Sequence, residues 1–281
     1  MSLGADTARL PRITVIIAVR NGVKTLQRAL DSVFEQTYDD VELIIMDGAS
    51  TDGTQAILEA NTARIAYWES EPDGGIYQAW NKALGHVTGD WICFLGADDR
   101  YHAPDVMAKI ALALLDDHGR HRVVFGIIDM LASDGSVVSS RGSPWNERRR
   151  RRFRQGTKMI PHPATFHDRS VFEDHGRFDE RFRIAGDYEF LLREILDRDP
   201  LFVPHLVVDM FRGGLSNRPS SKYIVEWEIH RARYMHGLVR TPPWRSRRLL
   251  QRLAGFWVAR NVTPRVAAAR RLVTRSSDPP G

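Results

Sequence analysis

The chain has 281 residues, 43% of them hydrophobic and 27% charged, which suits one sizeable globular domain with an appendage and excludes wholesale disorder, collagen-like repeats and long coiled coils. A single cysteine, Cys93, excludes a disulfide framework and a multi-cysteine zinc site, and no apolar run approaches the ~20 residues needed to cross a bilayer. The formal charge of +5 hides a division: residues 1–140 carry 11 Lys and Arg against 20 Asp and Glu, and residues 141–281 carry 29 against 15, as expected of an acidic half built around a cation and a basic half that meets something anionic.

Residues 13–19 (ITVIIAV) are a β-branched run that reads as a buried parallel strand. Arg20 and Asn21 follow with no small-residue cleavage site, so no secretory signal is expected, and one cysteine fits a reducing compartment, the cytosol. Leu26, Leu30, Val33 and Phe34 have helical spacing within 23–36, and a second strand follows at 41–46. Asp47-Gly48-Ala49-Ser50-Thr51-Asp52-Gly53 is a turn ending in N-cap residues before a short helix at 54–61. The pattern continues with a strand at 64–68, a helix at 75–87 opened by Gly74 and Gly75, and a strand at 91–95 that runs into Gly96-Ala97-Asp98-Asp99. Pro104 starts a helix reaching about residue 115. This rhythm predicts an α/β fold with an open, mainly parallel sheet covered on both faces.

The rhythm then changes. Runs at 122–131 and 137–140 flank Ser133-Asp134-Gly135-Ser136, a hairpin signal. Residues 141–158, with Arg148 to Arg152 consecutive, read as a loop; 170–175 and 187–196 read as helices, 201–211 as one or two strands, and the chain from 220 as helical with a break at Pro242-Pro243.

In a doubly wound sheet ligands bind at the carboxyl ends of the strands, which directs attention to residues 18–21, Asp47, residues 69–73 and Asp98-Asp99. A dinucleotide fingerprint is missing after the first strand, where Val19-Arg20-Asn21-Gly22 stands, as are a phosphate-binding Gly-rich loop ending in Lys-Ser/Thr and a His-Glu-x-x-His motif. Paired carboxylates at a strand end suit a hard divalent cation that shares its shell with water and phosphate oxygens, although an isolated Asp-Asp is also a common turn.

Taken in order, "ITVIIAVRNG", "SVFEQTYDDVELIIMDGASTDGT", "SEPDGGIYQAWNKALGHVTGDWICFLGADD", "HPATFHDRSVFEDHGRFDERFRIAGDYEFLLR" and "FRGGLS" resemble the motifs of glycosyltransferase family 2, enzymes of the GT-A fold. The resemblance covers about residues 13–216, and the Ser-Glu-Pro-Asp-x-Gly-Ile-Tyr stretch is similar to members that build bacterial surface polysaccharides. It implies that Ala18, Arg20 and Asn21 belong to the first donor-binding turn, with Ala18 and Arg20 lining the base and ribose pocket. It further implies that Asp47 accepts from N3–H of a uracil ring, and that Asp73 with the Gly74-Gly75 backbone sits near the base or phosphates. Asp98 would bind the ribose or metal shell, Asp99 would coordinate Mn2+ or Mg2+, and Asp187 would be the catalytic base. The family usually has an aromatic residue where Arg20 stands, and many members carry an acid or Asn at the position of Gly96, so metal binding in this chain would rest on Asp98 and Asp99.

The expectation is an inverting, metal-dependent transfer from a nucleotide-sugar, a UDP-sugar favoured, to a glycan or lipid-linked acceptor. Asp187 has a second reading as the N-cap of its helix, and Ala185-Gly186 before it would permit close approach of a sugar. His162 and His167 read as acceptor or diphosphate contacts or as core or surface histidines, Tyr77 and Trp80 as packing, and Cys93 as a buried hydrophobe. The Arg148 to Arg152 run is open between a solvated loop and a clamp for an anionic lipid-linked acceptor; nucleic acid is excluded because the acidic half would repel it. Residues 245–275 interleave Leu249, Leu250, Phe256 and Trp257 with arginines, a pattern for peripheral attachment to an anionic membrane surface on the cytoplasmic side, or for a partner or oligomer helix. The expected organisation is a GT-A domain at 1–219, with a donor half at 1–130 and an acceptor half at 131–219, and a basic helical extension at 220–281. A nucleotidyltransferase is the enzyme alternative, and a catalytically inactive family member serving as a binding partner is the other.

Overall fold

The computed structural model describes residues 9–211, 221–246 and 249–251. Its first strand, β1 (Ile13–Val19), lies between two parallel neighbours, β2 (Val41–Asp47) and β4 (Trp91–Gly96), and β3 (Tyr67–Ser70) extends the sheet beyond β2. The register sets Val19 opposite Asp47, Ala18 opposite Gly96 and Asp47 opposite Ser70. The carboxyl ends of these strands therefore finish together along one edge.

The unbroken apolar run of β1 follows from burial on both faces. Ile13, Val15, Ile17 and Val19 belong to one core, with residues of α1 (Leu26–Phe34), α2 (Thr54–Asn61) and α4 (Val106–Asp117). Ile16 belongs to the other, with α3 (Ile76–Ala83), α6 (Arg169–His175) and α7 (Gly186–Ile195). Each fully buried aliphatic side chain contributes about 1.5–3 kcal/mol, so the period-2 alternation of β1 welds the two helical layers to one sheet.

The second half builds on β6 (Val123–Leu131) and β7 (Val137–Arg141), the antiparallel hairpin expected from the sequence. β8 (Thr165–Asp168) inserts antiparallel between β4 and β6, β9 (Leu201–Phe211) runs parallel to β6, and β5 (Arg100–Tyr101) pairs antiparallel with β9. Among the described residues the sheet has the order β3-β2-β1-β4-β8-β6-β9-β5, with β7 on β6. α8 (Lys222–Met235) packs on the second core through Ala232 and Ile229.

Several elements differ from the sequence reading. Residues 141–158 are not one loop, because α5 (Glu147–Arg154) forms within them. The Asn146 side chain accepts from the Arg149 N–H at 2.9 Å, Glu147 occupies the first turn and arginines the last, and Phe153 anchors the helix in the core. Arginine is a good helix former, but a run of it carries no apolar period. The third strand begins at Tyr67 rather than Arg64, which ends a 3-10 turn and lies 3.9 Å over the Phe34 ring. β5 and β8, with two and four residues, are too short to show a period. The residues of "FRGGLS" after Phe211 and most of 245–275 lie outside the described residues.

Candidate active site

Two loops at the carboxyl edge are bolted together. The Asn21 N–H donates to Ser50 Oγ at 2.7 Å, and Asn21 Oδ1 accepts from the Thr51 N–H at 3.0 Å. The Gly22 N–H donates to Thr54 Oγ1 and the Val23 N–H to Asp52 Oδ2. Asn21 takes φ 54°, and Gly53, at φ 99°, starts α2 in a left-handed conformation. These bonds turn Asn21 towards its neighbouring loop and leave Arg20 exposed at the rim, beside the partly exposed Ala18.

Asp47 is 2% exposed. Its Oδ2 accepts from the Ser50 N–H at 3.0 Å and from Ser70 Oγ at 2.6 Å, and its Oδ1 accepts from Ser50 Oγ. The carboxylate thus shapes the loop, and the capacity it has left for another donor is a lone pair on Oδ1. Asp73 closes in from the third loop: a Cβ on Gly48 would lie 2.6 Å from Asp73 Oδ2 and 3.5 Å from the Arg20 Cβ. Asp73 Oδ1 accepts from the Gly75 N–H at 2.9 Å, and Gly75, at φ 134°, opens α3. Ala18, Arg20, Asn21, Asp47, Asp73 and Gly75 are thereby drawn into one cradle whose floor needs Gly48.

The acidic pair lies at the end of β4. A Cβ on Gly96 would meet Asp99 Oδ2 at 2.5 Å and Asp98 Oδ1 at 3.1 Å, so both carboxylates fold back over the glycine. Asp99 is 3% exposed. Burial first, and then the charge on Asp98, push its carboxyl up to about 8, against the pull of the Phe211 N–H and the Arg28 guanidinium. Arg28, unremarked in the sequence, donates to the Asp98 carbonyl at 2.6 Å and lies 3.7 Å over the Phe211 ring. Phe211 N–H reaches Asp99 Oδ1 at 3.3 Å. A buried carboxyl held this far up beside a second one is a site that a divalent cation would relieve. Among the described residues no cluster of three or more His, Cys, Asp or Glu could hold a metal alone. Two carboxylates completed by water and diphosphate oxygens match the shared type of Mg2+ or Mn2+ site.

Asp187 stands in the first turn of α7 and is not its N-cap, a position taken by Ala185. Its Oδ1 accepts from the Tyr188 N–H at 2.8 Å. Burial pushes the Asp187 carboxyl up to about 6; the nearby Glu228 charge adds to this, and the Tyr188 N–H and the Tyr77 hydroxyl oppose it. The space over Gly186 that the sequence suggested for a sugar holds the Tyr77 ring, which a Cβ there would approach to 2.8 Å. α7 is fixed from behind by Glu194, which pairs with Arg122 just before β6 and with His175 of α6 at 2.8 Å.

The histidine, aromatic and cysteine candidates resolve as packing. His162 and His167 are buried among Trp80, Phe94 and Phe178; burial drives the His162 imidazole down to about 3 and holds His167 well below the usual imidazole range. Tyr77 and Trp80 are buried in the same core, and Cys93 is buried against Tyr101, its thiol pushed up to about 12. Within the arginine run, Arg149 is buried on Ser143 Oγ and the Met159 carbonyl, and Arg150 pairs with Asp199. Arg148, Arg151, Arg152 and Arg154 are exposed.

A family model described as Glycosyl transferase family 2 matches residues 14–176. The chain is 35% identical over 210 residues to an uncharacterized glycosyltransferase of Mycobacterium tuberculosis, covering 74% of this chain and 78% of that one. It is 31% identical to a PGL/p-HBAD biosynthesis glycosyltransferase of the same species, covering 74% and 80%. Among solved structures, residues 1–349 of S. aureus TarS in complex with UDP-GlcNAc superimpose with TM-score 0.61 at 21% identity, covering 79% of this chain and 66% of that one. The mannosyltransferase PcManGT of Pyrobaculum calidifontis, in complex with GDP-Man and Mn2+, superimposes with TM-score 0.61 at 19% identity, covering 98% and 78%. With a fold, a cradle of strand-end loops and a strand-end acidic pair of this kind, and with these relatives, the chain belongs to glycosyl transferase family 2 and is a glycosyltransferase of the GT-A fold.

Proposed function

We propose that the enzyme moves a sugar from a nucleotide-sugar, a UDP-sugar favoured, to a hydroxyl of a glycan or lipid-linked acceptor in cell-surface polysaccharide synthesis, with inversion at the anomeric carbon. The observation that carries this reading is the pair of half-buried Asp98 and buried Asp99 on the same sheet edge as the Arg20, Asp47 and Asp73 loops. The two neighbours solved in complex with nucleotide-sugars share this fold, and one holds Mn2+.

In this reading the nucleotide lies in the cradle, with the Arg20 guanidinium at its rim and the Gly74-Gly75 backbone towards its phosphates. Asp98 and Asp99 would hold Mn2+ or Mg2+, which when bound supplies charge stabilisation to the departing diphosphate. Asp187 takes the proton of the acceptor hydroxyl as its oxygen bonds the anomeric carbon, so one carboxylate suffices and a single displacement inverts the centre. With its carboxyl at about 6, the base is mostly ionised at pH 7.5.

The acceptor side is assigned to residues 131–219 and the exposed arginines of α5, which suit an anionic lipid-linked acceptor. Residues 220–281 form an extension whose first helix, α8, is packed on the core. Exposed Tyr234, Met235, Trp244 and Leu250 lead into its basic stretch, and we assign this end to an anionic membrane surface on the cytoplasmic side. No helix among the described residues is long and apolar enough to cross a membrane.

Asp47→Ala tests the donor side. It leaves the Ser50 N–H and the hydroxyls of Ser50 and Ser70 short of an acceptor in a buried site, at a cost of about 1–3 kcal/mol in stability. Nucleotide affinity falls more than turnover of bound substrate, because the contact is equal in ground and transition states. Calorimetry with UDP, GDP and dTDP reads this, and a wild-type preference for GDP would sink the uracil assignment.

A further inference from the structure

Five consecutive backbone N–H groups leading into α7 are bound by two side chains from other helices. Those of Arg183, Ile184 and Ala185 donate to the Glu228 carboxylate at 2.7, 2.9 and 2.8 Å, and those of Gly186 and Asp187 donate to the Tyr77 hydroxyl oxygen at 2.8 and 3.3 Å. Glu228 is 4% exposed and Tyr77 3%. A helix start commonly satisfies such groups with a local Ser, Thr, Asp or Asn cap. Ala185 at the N-cap has no side chain for that purpose.

Because the partners come from α3 and α8, the shape of this turn depends on where those helices lie. α3 grows directly out of the Asp73-Gly74-Gly75 loop of the donor cradle. α8 is tied to α7 a second time, by His236 Nε2 and Glu189 at 2.9 Å. Glu228 also lies beyond the segment that matches the family model, residues 14–176.

We propose that Glu228 and Tyr77 are positioning residues that clamp residues 183–187 and so fix where the Asp187 carboxylate meets the acceptor hydroxyl. The proposal rests on the reading of Asp187 as the base. Besides its own helix, where it meets the Tyr188 N–H, the ionisable groups acting on Asp187 are Tyr77 from α3 and Glu228 from α8, and they act in opposite senses: the Glu228 charge raises its carboxyl and the Tyr77 hydroxyl lowers it.

The test compares kcat, donor KM and the pH profile of kcat for wild type, Glu228→Gln, Tyr77→Phe and Asp187→Asn, using whichever of UDP-glucose and UDP-GlcNAc wild type turns over, with UDP binding by calorimetry as the check on folding. Both clamp variants should lower kcat, on the order of 10- to 100-fold for a displaced base, with donor KM near wild type. The acid limb should move to lower pH in Glu228→Gln and to higher pH in Tyr77→Phe. Should Glu228→Gln fail to fold, Tyr77→Phe decides alone. Variants that bind UDP normally and keep the wild-type limb overturn the clamp, while an inactive Asp187→Asn in the same series leaves the base assignment standing. A fully active Asp187→Asn overturns both.

Discussion

Asp187→Asn is expected to fold, to bind donor as wild type does, and to lose sugar transfer by about 100- to 10,000-fold, the usual contribution of a positioned base. The size and first-turn position of the side chain are kept, and its Oδ1 can still accept from the Tyr188 N–H, so a folding defect is not the explanation to look for. In wild type, kcat should rise with pH through about 6 and level off above it, because the base must be ionised. Stability should run the other way. The folded carboxyl is held above its unfolded value, so below about pH 4 both states are protonated and burial carries no penalty. Between about 4 and 6 the unfolded chain releases the proton first, and stability falls; above 6 the folded protein carries an ionised, desolvated carboxylate. Asp187→Asn should therefore melt higher than wild type at pH 7.5 and equal to it near pH 4. A variant with wild-type transfer would place the base elsewhere.

Asp99→Asn carries the second large effect, a loss of turnover of at least about 100-fold, in line with removing a main stabiliser of leaving-group charge. A readout independent of turnover exists. Mn2+ with UDP should raise the melting temperature of wild type, by an amount that reflects about 2.7 kcal/mol at a hundredfold excess over Kd, and should leave that of the variant nearly unchanged. The metal-free variant should be at least as stable as wild type, since it no longer buries a carboxyl pushed up to about 8 beside Asp98. An equal melting shift in both proteins would remove Asp99 from the metal site.

Much of the donor half was legible in the sequence because its signals are local. The run at residues 13–19 and the helix at 54–61 match β1 and α2 residue for residue, and the parallel pairing that gathers Asp47, Gly96 and Ser70 on one edge follows from the βαβ rhythm. Reading function from strand ends then needs only the rule that ligands bind there. What the sequence hid was long-range. Ser70 reaches Asp47 across 23 residues, Arg28 reaches the Asp98 carbonyl across 70, and Glu228 reaches back 43 to 45 residues to the turn before α7. None of these has a period or a spacing. The arginine run misled for the opposite reason: its composition looks like solvent-facing loop, yet Asn146 and Phe153 make it a capped, anchored helix. Glycines gave a signal that could have been used, since Gly48 and Gly186 each stand where a side chain of a neighbouring element closes in, and Gly96 where the carboxylates of its own turn fold back.

Release of free nucleoside diphosphate should be measured from UDP-glucose, UDP-GlcNAc, GDP-mannose and dTDP-rhamnose, each with Mn2+ and again with excess EDTA. A metal-dependent UDP-sugar transferase should release UDP from a UDP-sugar, with release abolished by EDTA and restored when Mn2+ or Mg2+ is added back. Release that persists undiminished in EDTA, or that occurs from GDP-mannose and from neither UDP-sugar, would contradict that assignment.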